Sequence, residues 1–289
     1  MITVRNGDQA EGIAKLHREG ALVTRALALA ITMAVTRDSE LRRASGQSCC
    51  AVVELRQYQL HSGQRETLIE LFEREFMEPQ EALGMTLIGP FRDLDRPDVF
   101  TWLRGFPDMP SRATSLGAFY GGAVWARHRD AANATMVNSD NVRLLRPAPG
   151  TTGFALGERE SSGQTSGASR AGIIVATIYT LAPNGGADFA ALFVRVAAPV
   201  LGATGAAPIA MFETEASPNN FPRLPVREGE RCFVWFARFA DAAAYDRHLN
   251  ALARDARWAR EVLPVIQSRF AAPPEILRLS ATARSRVPQ

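Results

Sequence analysis

Lysine is all but missing from this 289-residue chain: Lys15 is the single one among 33 basic residues, so the other 32 (33 − 1) are arginines. They are spread along the sequence, which reads as the codon bias of a GC-rich genome. Nucleic-acid binders cluster their basic residues, and the net charge is only +3, so no nucleic-acid partner is expected. Cysteine is equally scarce. The three cysteines, two of them adjacent at Cys49 and Cys50, build neither a disulfide framework nor a CxxC metal pair, and a reducing, cytoplasmic setting fits. The chain also lacks a G-x-G-x-x-G turn, a P-loop and a nucleophile elbow, which removes the common phosphate-cradle and serine-hydrolase signatures. Its four histidines are too scattered for a local metal motif, and no metal is expected.

No apolar run is long enough to cross a membrane. The best candidate, residues 20–35, is interrupted by Arg25 and is too short and too charged. It has the outline of a signal peptide, but Asp8, Glu11 and Glu19 lie ahead of it and no A-x-A site follows. Residues 1–50 are therefore taken as a leader, helical or partly disordered, with Met33 as an alternative start.

What the chain does have is repetition. Phe100, Trp102, Phe106, Trp125, Ala126 and Arg127 recur as Phe233, Trp235, Phe239, Trp258, Ala259 and Arg260, each at an offset of 133 (233 − 100). All four tryptophans belong to these pairs. Tyr58 recurs as Tyr179 at an offset of 121, so the second copy has gained residues between its first strand and its Trp-bearing strand. The chain reads as a tandem repeat of one unit, with boundaries at 51–148 and 172–284 and a Gly/Ser-rich linker at 149–171.

Each copy reads as βαββαβ. In the first, a β-rich run at 52–60 precedes an amphipathic helix carrying Leu68, Leu71, Phe72 and Phe76. Strands follow at 85–91 and 98–106, then a helix at about 111–134 and a strand at 142–146. In the second, strands are expected at 173–181, 208–215, 231–239 and 275–280, and helices at 188–201 and 241–269, the last one kinked or broken by Pro264. The connection between 215 and 231 is longer and bears prolines. Such a unit is a four-stranded antiparallel sheet with both helices on one face, the ferredoxin-like arrangement. Two of them can cover each other's open faces, so the expected fold is α+β: two fused ferredoxin-like units curled into one barrel with helices outside.

The run Glu54-Leu55-Arg56-x-Tyr58-x-Leu60, with Gly63 opening the helix and Phe-x-Trp-x-Arg-x-Phe at 100–106 ahead of a Trp125-bearing helix, resembles the NIPSNAP family. The resemblance covers 52–148 as one full unit and 173–280 as a more diverged one. It implies the dimeric α/β barrel superfamily, here in single-chain form. That superfamily holds cofactor-free monooxygenases, isomerase-like proteins and haem-using relatives, so the resemblance fixes the fold far better than the reaction.

Strand alternation puts Glu54, Arg56 and Tyr58 on one face of the first strand, and Val53, Leu55, Gln57 and Gln59 on the other. With Val53 and Leu55 assigned to the helix-covered side, the charged set is expected to point into the barrel interior. Phe100, Trp102, Arg104 and Phe106 form one alternating set on the Trp strand. In the second copy Glu54 becomes Val175, Arg56 becomes Thr177 and Arg104 becomes Ala237, while Tyr179 and Trp235 keep the aromatic scaffold. The first copy is thus the expected site half and the second the structural half. The alternatives are a neutralised surface pair for Glu54 and Arg56, and core packing for the aromatics.

The expected roles follow from the chemistry. Arg56 and Arg104 would grip a carboxylate or a developing oxyanion. Tyr58 would donate a hydrogen bond or move a proton, and Glu54 or His61 would act as a base. Trp102, Phe100, Tyr179 and Trp235 would wall the substrate. The expected function is a cofactor-independent enzyme (isomerase, cyclase, dehydratase or monooxygenase type) on a small, partly apolar, anionic or enolisable substrate, conceivably in secondary metabolism. A non-catalytic ligand-binding or protein-interaction module is the alternative, and haem chemistry with His248 as axial ligand a remoter one. The expected partners are a small molecule and a second copy of the chain, with no membrane.

Overall fold

Burial on both sides of nearly every strand dictates this architecture. The structure, a computed structural model, describes residues 49–151, 153–157, 171–186 and 188–287. Apart from Cys49 and Cys50, the expected leader lies outside them, as does most of the linker.

The first half runs β1 (Val52–Leu60), α1 (Arg65–Leu71), a π-helical turn (Phe72–Phe76), α2 (Met77–Ala82), β2 (Thr86–Asp93), β3 (Val99–Phe106), α3 (Met109–Gly121), α4 (Ala123–Asn133) and β4 (Met136–Pro147). The second runs β5 (Ile173–Thr180), α5 (Phe189–Leu192), a π-helical turn (Phe193–Ala197), α6 (Ala198–Ala203), β6 (Pro208–Thr214), β7 (Cys232–Phe239), α7 (Ala242–Arg254), a π-helical turn (Trp258–Val262), α8 (Leu263–Gln267) and β8 (Glu275–Ala281). The eight strands close into one antiparallel barrel in the order β1-β3-β2-β8-β5-β7-β6-β4. Closure leaves no sheet edge unpaired. The two seams, β2 with β8 and β4 with β6, are short, with three residue pairs each.

Local signals explain the helix ends. Asp108 accepts from Ser111 N at 2.7 Å and Asp241 from Ala244 N at 2.7 Å, each satisfying an orphan donor at the start of α3 and α7. The helix expected as one piece at 111–134 breaks at Gly122, where a Cβ would sit 2.8 Å from Ala118 O. The helix expected at 241–269 is likewise interrupted at Asp255, which ends α7 in an extended conformation. Pro264 is accommodated rather than disruptive: it falls in the first turn of α8, directly after a π-helical turn. β4 is longer than expected, reaching from Met136 to Pro147.

The two halves match in fine detail. The first two π-helical turns start 121 residues apart (193 − 72), as do the positive-φ glycines Gly84 and Gly205. The register slips at Leu87/Gly89 and Pro208/Ala210 keep the same offset. By the aspartate caps the offset has become 133 (241 − 108). The change of 12 has one location. The β2–β3 connection, 94–98, has 5 residues and the β6–β7 connection, 215–231, has 17 (17 − 5 = 12).

Three cores result. Val53, Leu55, Leu103 and Leu145 meet Ile174, Phe212, Phe236 and Leu279 in one apolar cluster drawn from both halves, which is the barrel lumen. The face assignment made from the sequence is therefore reversed. Val53 and Leu55 point into the lumen, while Glu54, Arg56, Tyr58, Phe100, Trp102, Arg104 and Phe106 lie on the outer face, buried beneath the first half's helices. The reason is that the interior of an eight-stranded barrel is just wide enough to be filled by side chains, here largely aliphatic and aromatic. The helices, which supply partners such as Arg112 to Glu54, lie outside.

Part of the expected linker is core as well. Phe154 enters the lumen, with ring centroids 4.8 Å from Phe236 and 5.5 Å from Phe212. The tail beyond β8 pairs back through Gly157 N to Arg286 O at 2.8 Å and buries Val287 in the same cluster. Cys49 and Cys50, expected to be unlinked, form a disulfide between neighbours, with Cys50 in the lumen core.

Phe236→Ala, in the fully buried lumen, should destabilise the protein by about 3–5 kcal/mol in urea unfolding. A loss below about 1 kcal/mol would mean that the lumen is not a packed core.

Candidate functional site

β1 and β3 are antiparallel neighbours with Glu54 opposite Arg104 and Arg56 opposite Trp102, so pairing register alone brings the charged residues together. Glu54 is fully buried and is held by three guanidinium groups. Arg56 Nη1 donates to its Oε2 at 2.7 Å, Arg104 Nε to the same oxygen at 2.8 Å, and Arg112 Nε to Oε1 at 2.7 Å. Arg112 comes from the first turn of α3, where a cation opposes the helix dipole, and the carboxylate facing it offsets that cost. The cluster carries a net charge of +2 (three cations, one anion), far from water. Aromatic faces share the load: Arg104 Cζ lies 5.0 Å from the Trp102 ring centroid and Arg56 Cζ 5.4 Å from it.

The arginines are tethered outward as well. Arg104 Nη1 donates to Gln80 Oε1 at 2.8 Å, and Gln80 is fixed through its own donation to Phe76 O at 3.2 Å. Arg112 Nη1 donates to Asn219 Oδ1 at 3.1 Å and Asn220 Oδ1 at 2.8 Å, both in the long β6–β7 connection. A loop of the second half thus completes a site on the first. Arg56 Nε donates to Tyr58 Oη at 2.8 Å, which carries the chain of contacts from Glu54 to a phenol.

The electrostatics follow from these contacts. Burial alone would raise the Glu54 pKa, but the guanidinium groups of Arg104, Arg56 and Arg112 hold it well below the usual carboxylate range. Burial pushes the Tyr58 phenol up, so it is neutral near pH 7. Burial likewise lowers Arg112, against the pull of Glu54.

Tyr58 opens on a cavity of about 240 Å³ between the sheet and the helices of the first half. Phe72, Phe76, Phe100, Trp102, Phe119, Tyr120 and Trp125 supply aromatic walls, with Gln80, Asn133, Ser139 and Arg223 as polar lining. Its volume is just below the roughly 300–1,000 Å³ of drug-sized pockets, which suits a small ligand. Tyr58 Oη makes no hydrogen bond other than the one from Arg56, and Trp102 Nε1 has no acceptor among the described residues.

Of the expected site residues, the structure gathers Glu54, Arg56, Tyr58, Phe100, Trp102 and Arg104 into this one region. Their expected roles change. Glu54, fixed by three cations, is an anchor and not a base. Arg56 and Arg104 donate to Glu54, Tyr58 and Gln80, Arg104 Nη2 has no acceptor among the described residues, and neither arginine lines the cavity. His61 is exposed just past β1 and lines no cavity wall. Tyr179 and Trp235 belong to the second half, where Trp235 Nε1 donates to Tyr179 Oη at 3.3 Å and Phe270 stacks on the Tyr179 ring at 4.5 Å. Burial pushes Tyr179 up to about 12.

In the second half, Leu201 stands for Gln80 (201 − 80 = 121) and Tyr245 for Arg112 (245 − 112 = 133), so that half lacks the whole charged set. His248 packs against Phe239 with Nδ1 3.2 Å from Thr204 O, and burial lowers its pKa. Its ring packs against Phe239 and Tyr245 and does not line the Tyr58 cavity, so it does not fit the role of a haem ligand there. Among the described residues no cluster of three or more His, Cys, Asp or Glu side chains suits a metal ion, and no helix is long and apolar enough to cross a membrane. A larger depression of about 720 Å³ lies at the base of the long loop, where Arg146–Glu213 and Arg227–Glu230 pair at 2.6 Å each, and Glu215, Glu228 and Arg231 bond backbone groups.

The fold and site thus define an α/β barrel with an aromatic, arginine-backed cavity in its first half. Residues 53–151 match the NIPSNAP family, so the chain carries a NIPSNAP domain there. A NIPSNAP family protein from Agrobacterium tumefaciens str. C58 is similar at 22% identity, with 34% of this chain and 87% of that one covered and a TM-score of 0.32. An anthrone oxidase-like protein is similar at 10% identity over 80% of this chain and 93% of that one, TM-score 0.48. A mutant chlorite dismutase from Candidatus Nitrospira defluvii is similar at 12% identity over 83% and 94%, TM-score 0.43. No curated protein matches the chain.

Glu54→Gln should cost about 3–5 kcal/mol, because it leaves three buried guanidinium groups without their anion. In the native protein the contribution of Glu54 ionisation is complete above the unfolded carboxylate value of about 4.3. It is lost as pH falls from there toward the depressed folded value. Urea midpoints measured from pH 6 down to pH 2 should therefore show less acid loss in Glu54→Gln than in wild type; equal slopes would contradict the assignment.

Proposed function

We propose that this protein is a small-molecule enzyme that works without a bound cofactor, with Tyr58 as the group that polarises an oxygen of its substrate. The observation that carries this reading is the hydrogen-bond state of Tyr58. Its oxygen already accepts from Arg56, its own hydrogen has no acceptor among the described residues, and the residue lines the cavity. A donor that itself accepts from a cation is a stronger donor. Burial keeps the phenol neutral, so it gives a hydrogen bond to a carbonyl or developing enolate. Isomerisation of an enolisable ketone and oxygenation of its enolate both pass through such an oxyanion.

We read the two halves as copies of one ferredoxin-like unit, on the strength of the matched π-helical turns, glycines and register slips. The copies have since divided the work. The first kept the charged set, and the second gained the loop that covers it. We read the setting as cytoplasmic and biosynthetic, the small aromatic cavity suiting a compact metabolite.

One observation favours a second reading, a ligand-binding module without turnover. No carboxylate or histidine lines the cavity to take up a proton.

Deuterium exchange separates the two. With 2-tetralone, a two-ring enolisable ketone, wild type in D2O should exchange the α-protons faster than buffer, by NMR. Tyr58→Phe should lose that excess by about a hundredfold or more while unfolding within about 1–2 kcal/mol of wild type. Bound ketone with no excess exchange would select the binding module.

A further inference from the structure

The cavity wall contains a single charged side chain, and it is not one of the first half's own. Arg223, exposed and carried by the 215–231 connection, lines the cavity alongside Leu224 and forms no ion pair among the described residues. Its guanidinium carbon lies 6.0 Å from the Phe221 ring, and Phe221 packs in turn on Tyr120 at 6.0 Å. Asn220 pins the same loop to α3, its Nδ2 donating to Met109 O at 2.6 Å. The cation is thus held at the rim by a loop anchored on both sides. Deeper in, Trp102 is buried, yet its Nε1 has no acceptor. At the equivalent place in the second half the indole donates to Tyr179, whereas here Arg56 has taken the tyrosine oxygen.

We propose that the ligand is a compact aromatic carboxylate, its ring lying among Phe72, Trp102 and Tyr120 and its carboxylate reaching Arg223 at the rim. The chemistry matches on two counts. Aromatic walls favour a flat ring through stacked and edge contacts. A guanidinium with no carboxylate partner among the described residues pairs with a ligand carboxylate by two parallel hydrogen bonds. The loop that brings Arg223 contains the twelve-residue difference between the halves, so selectivity for the acid was supplied by the copy that holds no site. This inference rests on the cavity being a ligand site, and Arg223 acts in it as a specificity-determining residue.

The test uses the full chain and two isosteric probes, 2-naphthoate and its neutral amide, with affinities read from quenching of tryptophan fluorescence. Wild type should prefer the acid by about fivefold, the preference shrinking with added salt, as for a rim-exposed charge pair. Arg223→Gln should abolish the preference, weakening the acid far more than the amide. Amide binding with no preference for the acid in wild type, or a preference that survives in Arg223→Gln, overturns the inference and leaves the site reading standing. Saturable binding of neither probe overturns both.

Discussion

One carboxylate shared by three guanidinium groups is the constraint on which the rest of the first half depends. An isolated buried charge costs several kcal/mol, and Glu54 is tolerable only because Arg56, Arg104 and Arg112 each reach it within 2.8 Å. The converse is equally binding. Three buried arginines around one anion leave a net positive charge, which rings, an amide side chain and two loop asparagines help to disperse. The arrangement fixes β1 against β3, α3 against the sheet, and the 215–231 loop against α3. It also fixes the hydrogen-bond state of Tyr58, which connects an interaction of stability to one of chemistry.

The second half is a control built into the same chain. Its strands, first π-helical turn and capping aspartate repeat those of the first half, yet Val175, Thr177, Ala237, Leu201 and Tyr245 replace the charged and amide groups. There the tryptophan indole donates to the tyrosine oxygen and Phe270 stacks over the phenol. In the first half Arg56 donates to the tyrosine oxygen instead, and the cavity beside Tyr58 forms among that half's rings.

Much of this was legible in the sequence. Periodicity gave the strands and their order, and alternation correctly grouped Glu54 with Arg56 and Tyr58, and Trp102 with Arg104. The loss of charge from the second copy was visible by offset. Which way those faces pointed was not legible, because β1 is buried on both sides and a period of two is silent about which side meets a helix. Arg112 and Gln80 were missed because helical positions do not announce a partner strand, although an arginine in the first turn of α3, against the dipole, was a usable sign. Asn219, Asn220 and Arg223 were beyond reach: they lie in an aperiodic, proline-bearing loop whose docking on the other half is a product of barrel closure.

The most direct test of the central claim uses the difference between the halves. Leu68, on the cavity wall, is matched in the second half by Phe189 (189 − 68 = 121). Titration of 2-naphthamide into Leu68→Phe and Phe189→Leu, with folding checked by urea midpoint, reads which half holds the ligand. Binding weakened by about tenfold or more in Leu68→Phe and unchanged in Phe189→Leu is the predicted result, since filling a small cavity removes the space a ligand needs. Unchanged affinity in a folded Leu68→Phe would contradict it.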